Sequence, residues 1–274
     1  MRSANKAAFL NLIYIIINFV WLVIVDNKKI FGTSLYETFY QNWSYLTPHY
    51  ATFEIWKVIA ICFVTTALFY CILLRRERDE DRALAEQISS SENWVIYNQL
   101  FLGLSIVLKV NNYLTVALLF TIATFYTLNK LNYIFKIRDY KNPTAIHIFT
   151  RTSMGLYSGW LVYLMGFNGL PVLSHLFKMR GDETIFCILA LIFLLVSFSF
   201  ILYKAIICIL PALLVGYTAG VLGSYFYNIQ SIKITDIYHQ TMKYAFLSIM
   251  LISISMMIIL LYRKRKALLA LGHG

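Results

Sequence analysis

Aromatic side chains are the residues of this sequence whose types and spacing suggest chemistry. Indole and phenol rings stack on a flat ligand of low polarity, while an amide or a hydroxyl fixes its orientation. Trp21, Trp56 and Trp160 lie near one end of three apolar stretches, and Trp160 lies about 10 Å inside its stretch at the helical rise per residue. Interfacial anchoring is the alternative explanation for Trp21 and Trp56. The candidate ligand-binding residues are Trp21, Trp43, His49, Phe53, Trp56, Tyr157, Trp160, Tyr163 and Asn168.

Residue sets for catalysis or metal binding are harder to find. The five histidines are scattered, and no two stand three or four residues apart as a helical metal site requires. The sequence contains neither a paired-aspartate motif for prenyl diphosphates nor a glycine-rich phosphate loop. We therefore predict no metal, and no cofactor other than a porphyrin or haem bound as the ligand itself. The sequence favours a protein that is not an enzyme.

Three ionisable side chains lie within the ends of apolar stretches, where such residues are commonly functional. Arg151 stands one turn from the predicted cytoplasmic end of its stretch. Asp139 or a carbonyl group of the inner loops is its expected partner, and extension of the guanidinium to lipid phosphate is the alternative. Glu54 and Lys57, three residues apart near the outer surface, are expected to pair with each other.

Eight apolar stretches have to position these side chains. A helix of about 20 residues crosses the hydrocarbon core, where unpaired backbone groups are not tolerated. A chain with 59% hydrophobic and 14% charged residues is not a water-exposed globule. We predict an all-α polytopic transmembrane helical bundle of about eight helices, and short links leave seven or nine spans open. The stretches are Ala7–Val25, Phe53–Leu74, Trp94–Leu108, Tyr113–Phe135, Ile146–Phe167, Ile185–Tyr203, Ala205–Tyr227 and Ala245–Tyr262.

The charge distribution orients this bundle. The net charge is +11, and with a cytoplasmic N-terminus the inner segments carry fifteen Lys and Arg residues against seven in the outer loops. This asymmetry follows the positive-inside rule, so we predict both termini in the cytoplasm and the protein in the cell (inner or plasma) membrane. The positive charge therefore predicts membrane lipids as partners and no nucleic acid.

Two insertions between the stretches are long enough to carry structure of their own. Asp26–Thr52, on the outer side, contains many aromatic residues and is predicted to form a lid packed on the helix ends. Arg75–Asn93, on the inner side, is rich in charges of both signs and in helix formers. This composition predicts a solvated extension of the second helix.

Two glycine pairs predict close contacts between helices. Gly155 and Gly159, and likewise Gly216 and Gly220, form G-x-x-x-G patterns that let two helix backbones approach each other. Packing within the chain is one interpretation, and a homodimer or a contact in a membrane complex is the other. Pro211 is expected to kink the seventh helix or to lie in its first turn.

Two segments of the chain resemble a known family. Residues 46–56, LTPHYATFEIW, and residues 156–168, LYSGWLVYLMGFN, resemble the second and fifth helices of the tryptophan-rich sensory proteins, the TspO/peripheral benzodiazepine receptor family. His49 replaces one proline of a frequent Pro-Pro pair, and the third stretch is apolar where tryptophans are usual. The resemblance covers about residues 7–168, and residues 185–262 resemble the C-terminal extension of longer members.

This resemblance implies two domains. Residues 1–168 would form a five-helix ligand-binding bundle, and residues 169–274 would form a three-helix membrane extension. It also implies that the bundle binds tetrapyrroles, or isoprenoid or sterol-like lipids, in an outer-leaflet pocket beneath the first loop.

The leading hypothesis is an integral membrane receptor or carrier for a flat hydrophobic ligand, with Trp56 and Trp160 as stacking walls. The residues expected to orient or cover the ligand are Tyr157, Tyr163 and Asn168, with Trp43 and His49 in the lid. The second hypothesis is a structural or assembly subunit that docks a partner through the face with Gly216. The third is a lipid-modifying membrane enzyme that uses Asp236 and His239.

Overall fold

The computed structural model describes residues 2–28, 30–75, 82–142, 144–179, 183–231 and 237–271. These residues form helices joined by short connections, and no strand occurs among them. A 3-10 turn, η1, spans Tyr50–Glu54 and leads directly into α3. The helices are α1 Arg2–Lys28, α2 Leu35–Gln41, α3 Ile55–Leu74, α4 Arg82–Val110, α5 Leu114–Ile134, α6 Ala145–Phe177, α7 Thr184–Cys208, α8 Pro211–Ser231 and α9 Ile237–Leu271.

Seven of the described helices are long and apolar enough to cross a membrane, namely α1, α3, α4, α5, α6, α7 and α9. α8 is as long as α5, but it carries several glycines, tyrosines and polar residues. Many of these face other helices, since Tyr217, Ser224 and Asn228 are buried. The chain is therefore a multi-pass membrane protein, and the predicted all-α helical bundle is confirmed.

α6 lies at the centre of the bundle, because it packs against α3, α5, α7 and α8. Small residues along α6, such as Ser153, Gly159 and Gly166, permit these close contacts. We call the end that carries α2 and η1 the outer pole. The end that carries the α5–α6 and α7–α8 connections is the inner pole, after the orientation predicted from the charges.

Arg151 links two segments at the inner pole through hydrogen bonds. Its side chain is buried, its Nε donates a hydrogen bond to the Ile137 carbonyl at 2.7 Å, and its Nη2 donates to the Cys208 carbonyl. Ile137 lies in the α5–α6 connection and Cys208 is the last residue of α7. One guanidinium thus satisfies an acceptor in the α5–α6 connection and another at the end of α7. The expectation that a carbonyl of the inner loops is its partner is confirmed.

The charged inner insertion differs from its prediction. Residues 82–93 form the first turns of α4 and do not extend α3, while residues 76–81 lie outside the described residues. Ala85, Ile88 and Ser91 recur on one face of these turns and are buried. The Ser91 hydroxyl also accepts a hydrogen bond from Asn11 Nδ2 of α1 at 3.4 Å. Because residues 82–93 pack against α1 through this face, they form part of α4 and not an extension of α3.

Two helix ends also differ from the sequence prediction. α6 continues to Phe177 through Pro171, so the domain boundary expected after residue 168 falls inside a helix. Proline removes only one helical hydrogen bond, a loss that a membrane helix surrounded by neighbours tolerates. α7 runs on to Cys208, past the predicted end of the sixth stretch. Pro211 is the first residue of α8, which confirms its place in the first turn.

Candidate ligand-binding site

The first outer loop contains a helix that its own sequence caps. Ser34 precedes α2, and its hydroxyl accepts a hydrogen bond from the Glu37 N–H at 3.2 Å. The Glu37 carboxylate accepts one from the Ser34 N–H at 2.9 Å. This reciprocal capping box stabilises α2, which packs on α1 and α4 at the outer pole.

The rest of the loop is anchored inside the bundle. Tyr45 and Leu46 are fully buried. The Leu46 carbonyl accepts hydrogen bonds from the Tyr163 hydroxyl at 2.8 Å and the Ser224 hydroxyl at 2.7 Å. The Tyr45 carbonyl accepts one from Asn228 Nδ2 at 3.1 Å. Buried carbonyls need such donors because lipid supplies none. Side chains of α6 and α8 therefore fix the loop in place.

A glycine of α8 provides a second anchor for this loop. The His49 N–H donates a hydrogen bond to the Gly223 carbonyl at 2.9 Å, and His49 Nδ1 accepts one from the Ala51 N–H at 3.4 Å. A Cβ on Gly223 would lie 2.0 Å from Thr52 Oγ1, so only glycine permits this approach. Our sequence analysis missed Gly223, although it follows Gly220 by three residues on the same helix.

Replacing Tyr163 by phenylalanine is expected to loosen the loop. The change removes a donor to the Leu46 carbonyl but keeps the ring, so the free energy of unfolding should fall by about 1 kcal/mol. Hydrogen–deuterium exchange at residues 44–47 measures the local effect. Tyr157→Phe is the matched control, because its buried hydroxyl has no hydrogen-bond partner among the described residues. Equal exchange in the two variants would contradict the anchoring role.

An aromatic cluster lies beneath the loop, between the outer end of α3 and the middle of α6. The fully buried Trp160 ring meets the edges of Trp56 and Phe53, with centroid distances of 6.1 and 6.2 Å and interplanar angles of 86° and 80°. Trp56 also contacts Tyr157 edge-on at 5.8 Å, and Trp160 stacks on Tyr163 at 6.1 Å. Edge-to-face contacts of this kind hold aromatic rings in fixed orientations. The structure thus brings together five of the predicted site residues.

A buried lysine lies behind this cluster. Lys109 Nζ lies 4.3 Å from the ring centroid of Phe39 and 5.2 Å from that of Phe167, and it donates a hydrogen bond to Asn168 Oδ1. Phe39 in turn stacks on Phe53 at 4.6 Å. Within the described part of the chain, no carboxylate lies within ion-pair distance of Lys109. Neutral oxygen and aromatic faces therefore surround this ammonium group.

Lys109 directly follows the predicted stretch Trp94–Leu108, so it is one of the seven Lys and Arg residues that we assigned to the outer loops, and the structure corrects this assignment. It lies in the last turn of α4 and is buried. The sequence contained a signal for the burial of Lys109. It stands seven positions after Leu102 and three after Ile106, two buried residues of α4. A residue at that spacing shares their face of the helix.

A cleft of about 400 Å³ opens beside the aromatic cluster at the outer pole. Phe53 and Trp56 form one wall, and Phe19 and Leu22 of α1 with Ile106 of α4 form the other. The half-buried Trp56 thus has one side on the cleft and another on Trp160.

The mouth of the cleft is charged. Asp26, Glu54 and Lys57 line it, and Lys57 Nζ pairs with the Glu54 carboxylate at 2.6 Å. Both partners are more than half exposed, as expected for a pair at the membrane surface. The predicted pairing of Glu54 with Lys57 is therefore confirmed.

Two smaller voids, each of about 30 Å³, continue from the cleft toward the inner pole. Trp56 and Leu22 line both the cleft and the nearer void, and Phe63 and Gln99 line both voids. The cleft and the two voids therefore form an interrupted path between α1, α3, α4 and α6. Trp56 lies between the cleft and the nearer void.

The other predicted site residues lie away from the cleft wall. Trp21 meets Phe31 edge-on at 6.1 Å, and Trp43 packs on Tyr45 at 5.1 Å. His49 caps η1 as described above. Asn168 faces Lys109 behind the Phe39 ring. These residues support the loop and the cluster, whereas the cleft wall itself is built from Phe53, Trp56 and residues of α1 and α4.

The glycine pairs lie at the contact between α6 and α8. A Cβ on Gly159 would lie 2.1 Å from the Leu213 carbonyl oxygen, and one on Gly216 would lie 2.0 Å from the Leu156 carbonyl oxygen. The other two contacts are with side chains, Gly155 facing Leu210 and Gly220 facing Tyr163. α6 therefore covers the face of α8 that the assembly-subunit hypothesis assigned to a partner protein.

Of the two residues named in the enzyme hypothesis, only His239 lies in the described part of the chain. His239 packs its ring against Trp43 and Tyr45, with centroids 6.1 and 5.1 Å away. Asp236 lies outside the described residues. Among the residues that the structure does describe, no three His, Cys, Asp or Glu side chains are grouped as metal ligands would be.

Comparison with known families identifies a match for this chain. The model of a family described as TSPO-like protein matches residues 8–221, more than half of the chain. The chain belongs to the TSPO-like family. No curated protein and no solved structure matches it. The TSPO-like region runs from α1 through α7 and into α8, so it is longer than residues 7–168, where we saw the resemblance. It includes Gly216 and Gly220, and hence much of the α6–α8 contact.

Proposed function

We propose that this TSPO-like chain is a receptor or carrier of the cell (inner or plasma) membrane that binds a flat hydrophobic ligand, a tetrapyrrole, in the outer cleft. The observation that carries the proposal is the wall formed by Phe53 and Trp56, both braced by the buried ring of Trp160. The volume of about 400 Å³ falls in the range of small-molecule pockets.

Rigidity of the wall is the physical basis of recognition. Trp160 and Tyr157 both meet the Trp56 ring edge-on, so the indole is held in orientation before any ligand arrives. A preorganised wall binds a rigid macrocycle without losing side-chain entropy. Phe19 and Leu22 of α1 supply the apolar surface opposite.

The charged mouth favours a tetrapyrrole over a neutral isoprenoid or sterol. Lys57 is exposed and pairs with Glu54 at the protein surface. Such a pair contributes little free energy, so Lys57 can exchange Glu54 for another carboxylate at little cost. A ligand carboxylate can then take Lys57 while the apolar ring lies deeper, against Trp56. The Asp26 carboxylate at the same mouth repels ligand carboxylates, so a ligand with few of them is favoured.

Trp56→Ala is expected to weaken protoporphyrin binding about tenfold, because loss of a stacking wall costs roughly 1.5 kcal/mol. Absorbance titration of the protein in lipid nanodiscs measures the dissociation constant. Trp94→Ala is the matched control, since Trp94 is also half-buried but lies in α4 against Tyr97 and Tyr126, away from the cleft.

Two outcomes of this titration, and one of a parallel titration with other ligands, would contradict the proposal. One is the absence of saturable binding to the unaltered protein, and another is equal loss of affinity in both tryptophan variants. Protoporphyrin dimethyl ester and a sterol are titrated in parallel. If the sterol binds more tightly than protoporphyrin, the ligand is a neutral lipid and the tetrapyrrole assignment fails.

A further inference from the structure

A second cleft, of about 530 Å³, lies at the inner pole. It is formed by residues 129–139, at the end of α5 and in the α5–α6 connection, and by residues 200–208, at the end of α7. Both helices flank α6, so the cleft lies between them on the surface of the bundle. Its residues have no part in the outer ligand site.

The inner cleft carries an excess of positive charge. Lys136, Arg138 and Lys204 line it, against the single carboxylate of Asp139. Lys136, Arg138 and Asp139 are exposed, whereas Lys204 is half-buried. Such an arrangement attracts anions, because a cation held partly out of water gains most from a nearby opposite charge.

Lys204 is the most informative of these cations. Its Nζ donates a hydrogen bond to Asn129 Oδ1 at 2.7 Å and lies 4.8 Å from the ring centroid of Phe200. Both partners are neutral, and no carboxylate of the described residues lies within ion-pair distance of it. The described residues therefore position this ammonium group without supplying a counter-ion.

A buried amide lies at the same cleft. Asn132 Nδ2 donates a hydrogen bond to the Ser158 hydroxyl at 3.0 Å, but its buried Oδ1 has no partner in the part of the chain that the structure describes. Asn132 therefore belongs to the buried wall of the cleft, and the cations at its surface are the groups open to a ligand.

The open side of the inner cleft is apolar and aromatic. Tyr133, Tyr203 and Ile207 line it and are exposed by 82%, 65% and 42%. Side chains this exposed on the outside of a membrane bundle face lipid. A molecule that fits both parts has a charged, hydrogen-bonding head and an apolar tail.

We propose that the inner cleft binds the headgroup of an anionic membrane phospholipid. Its phosphate lies between Lys204 and Arg138, and an acyl chain follows Tyr203 and Ile207. Basic pockets between helices on the cytoplasmic side are suited to such headgroups, because the inner leaflet is rich in anionic lipid. This site is independent of the proposed function at the outer pole.

Native mass spectrometry of the detergent-solubilised protein tests the proposal, with phosphatidylglycerol and phosphatidylcholine titrated separately. The unaltered protein is expected to bind phosphatidylglycerol preferentially. The double variant Lys204→Met with Arg138→Gln should bind it roughly 30-fold more weakly, since each cation contributes about fivefold. Lys130→Met is the control, because Lys130 is a cation near the inner end of α5 that does not line the cleft and lies over Trp94 and Tyr126 at 5.9 and 5.4 Å.

Three results would overturn the proposal: equal binding of the two lipids, unchanged phosphatidylglycerol binding in the double variant, or an equal loss in Lys130→Met. Inorganic phosphate in large excess distinguishes the two sources of the anion. It should leave the lipid bound, and complete displacement would show that the site takes soluble phosphate. Lys136→Gln, at an exposed residue of the same cleft, should give a smaller loss of roughly fivefold even if the double variant is unstable.

Discussion

Replacing Gly216 by alanine is expected to lower the free energy of unfolding by about 3 kcal/mol or more, at the upper end of overpacking effects. The added Cβ would lie 2.0 Å from the Leu156 carbonyl oxygen and 2.9 Å from the Trp160 nitrogen. Both are backbone atoms, so the clash is relieved only if α6 and α8 move apart. Thermal unfolding in nanodiscs measures the change. Because the clash is with the backbone of Trp160 itself, we also expect weaker protoporphyrin binding.

Gly169→Ala is the control for this variant. Gly169 lies in α6, but a Cβ there would meet nothing within 4 Å among the described residues. Alanine is the better helix former by about 1 kcal/mol, so stability should stay the same or rise slightly. If Gly216→Ala unfolds at the same temperature as Gly169→Ala, the described contact between α6 and α8 is wrong.

Trp160→Ala is expected to lower the free energy of unfolding by about 3–5 kcal/mol, as is usual for truncating a buried aromatic residue. The lost ring contacts Phe53, Trp56 and Tyr163. Trp160 does not line the cleft itself. We nevertheless expect protoporphyrin affinity to fall, because the Trp56 indole loses the ring that orients it. Chemical denaturation and the absorbance titration measure the two effects.

Trp160→Phe separates the role of the ring from that of its polar atom. The buried Trp160 Nε1 has no hydrogen-bond partner among the described residues, so phenylalanine loses no hydrogen bond. It keeps an aromatic edge against Trp56 and should retain most of the stability and affinity. Equal losses in Trp160→Phe and Trp160→Ala would show that Trp160 acts by something other than bracing Trp56.

The helical membrane class and the aromatic cluster could be predicted from the sequence. Apolar stretches long enough to cross a membrane leave few alternatives to helices, and depth along those stretches placed Trp56 and the deeper Trp160 in the same outer leaflet. Tyr157, Tyr163 and Phe53 then follow from their spacing, because residues three or four positions apart share a face of a helix. The structure adds that Trp160 braces the wall while Trp56 forms it.

Other features could not be predicted because tertiary contacts decide them. Lys109 looks like a loop charge until its neighbours Phe39 and Asn168 are known to surround it. Pro171 does not end α6, because neighbouring helices stabilise the turns on either side of it. The inner cleft depends on the approach of the ends of α5 and α7, segments separated by the whole of α6. No local pattern in the sequence encodes that approach.

The central claim is that a porphyrin binds beside Trp56 at the outer pole. Tryptophan fluorescence tests it most directly, in two chains that keep only Trp56 or only Trp94, with the other tryptophans replaced by phenylalanine. Trp94 stands twelve residues from Ile106 of the cleft wall. That spacing is about 18 Å along α4. We predict that protoporphyrin quenches Trp56 saturably and more strongly than Trp94. Equal quenching of both, or stronger quenching of Trp94, would contradict the account.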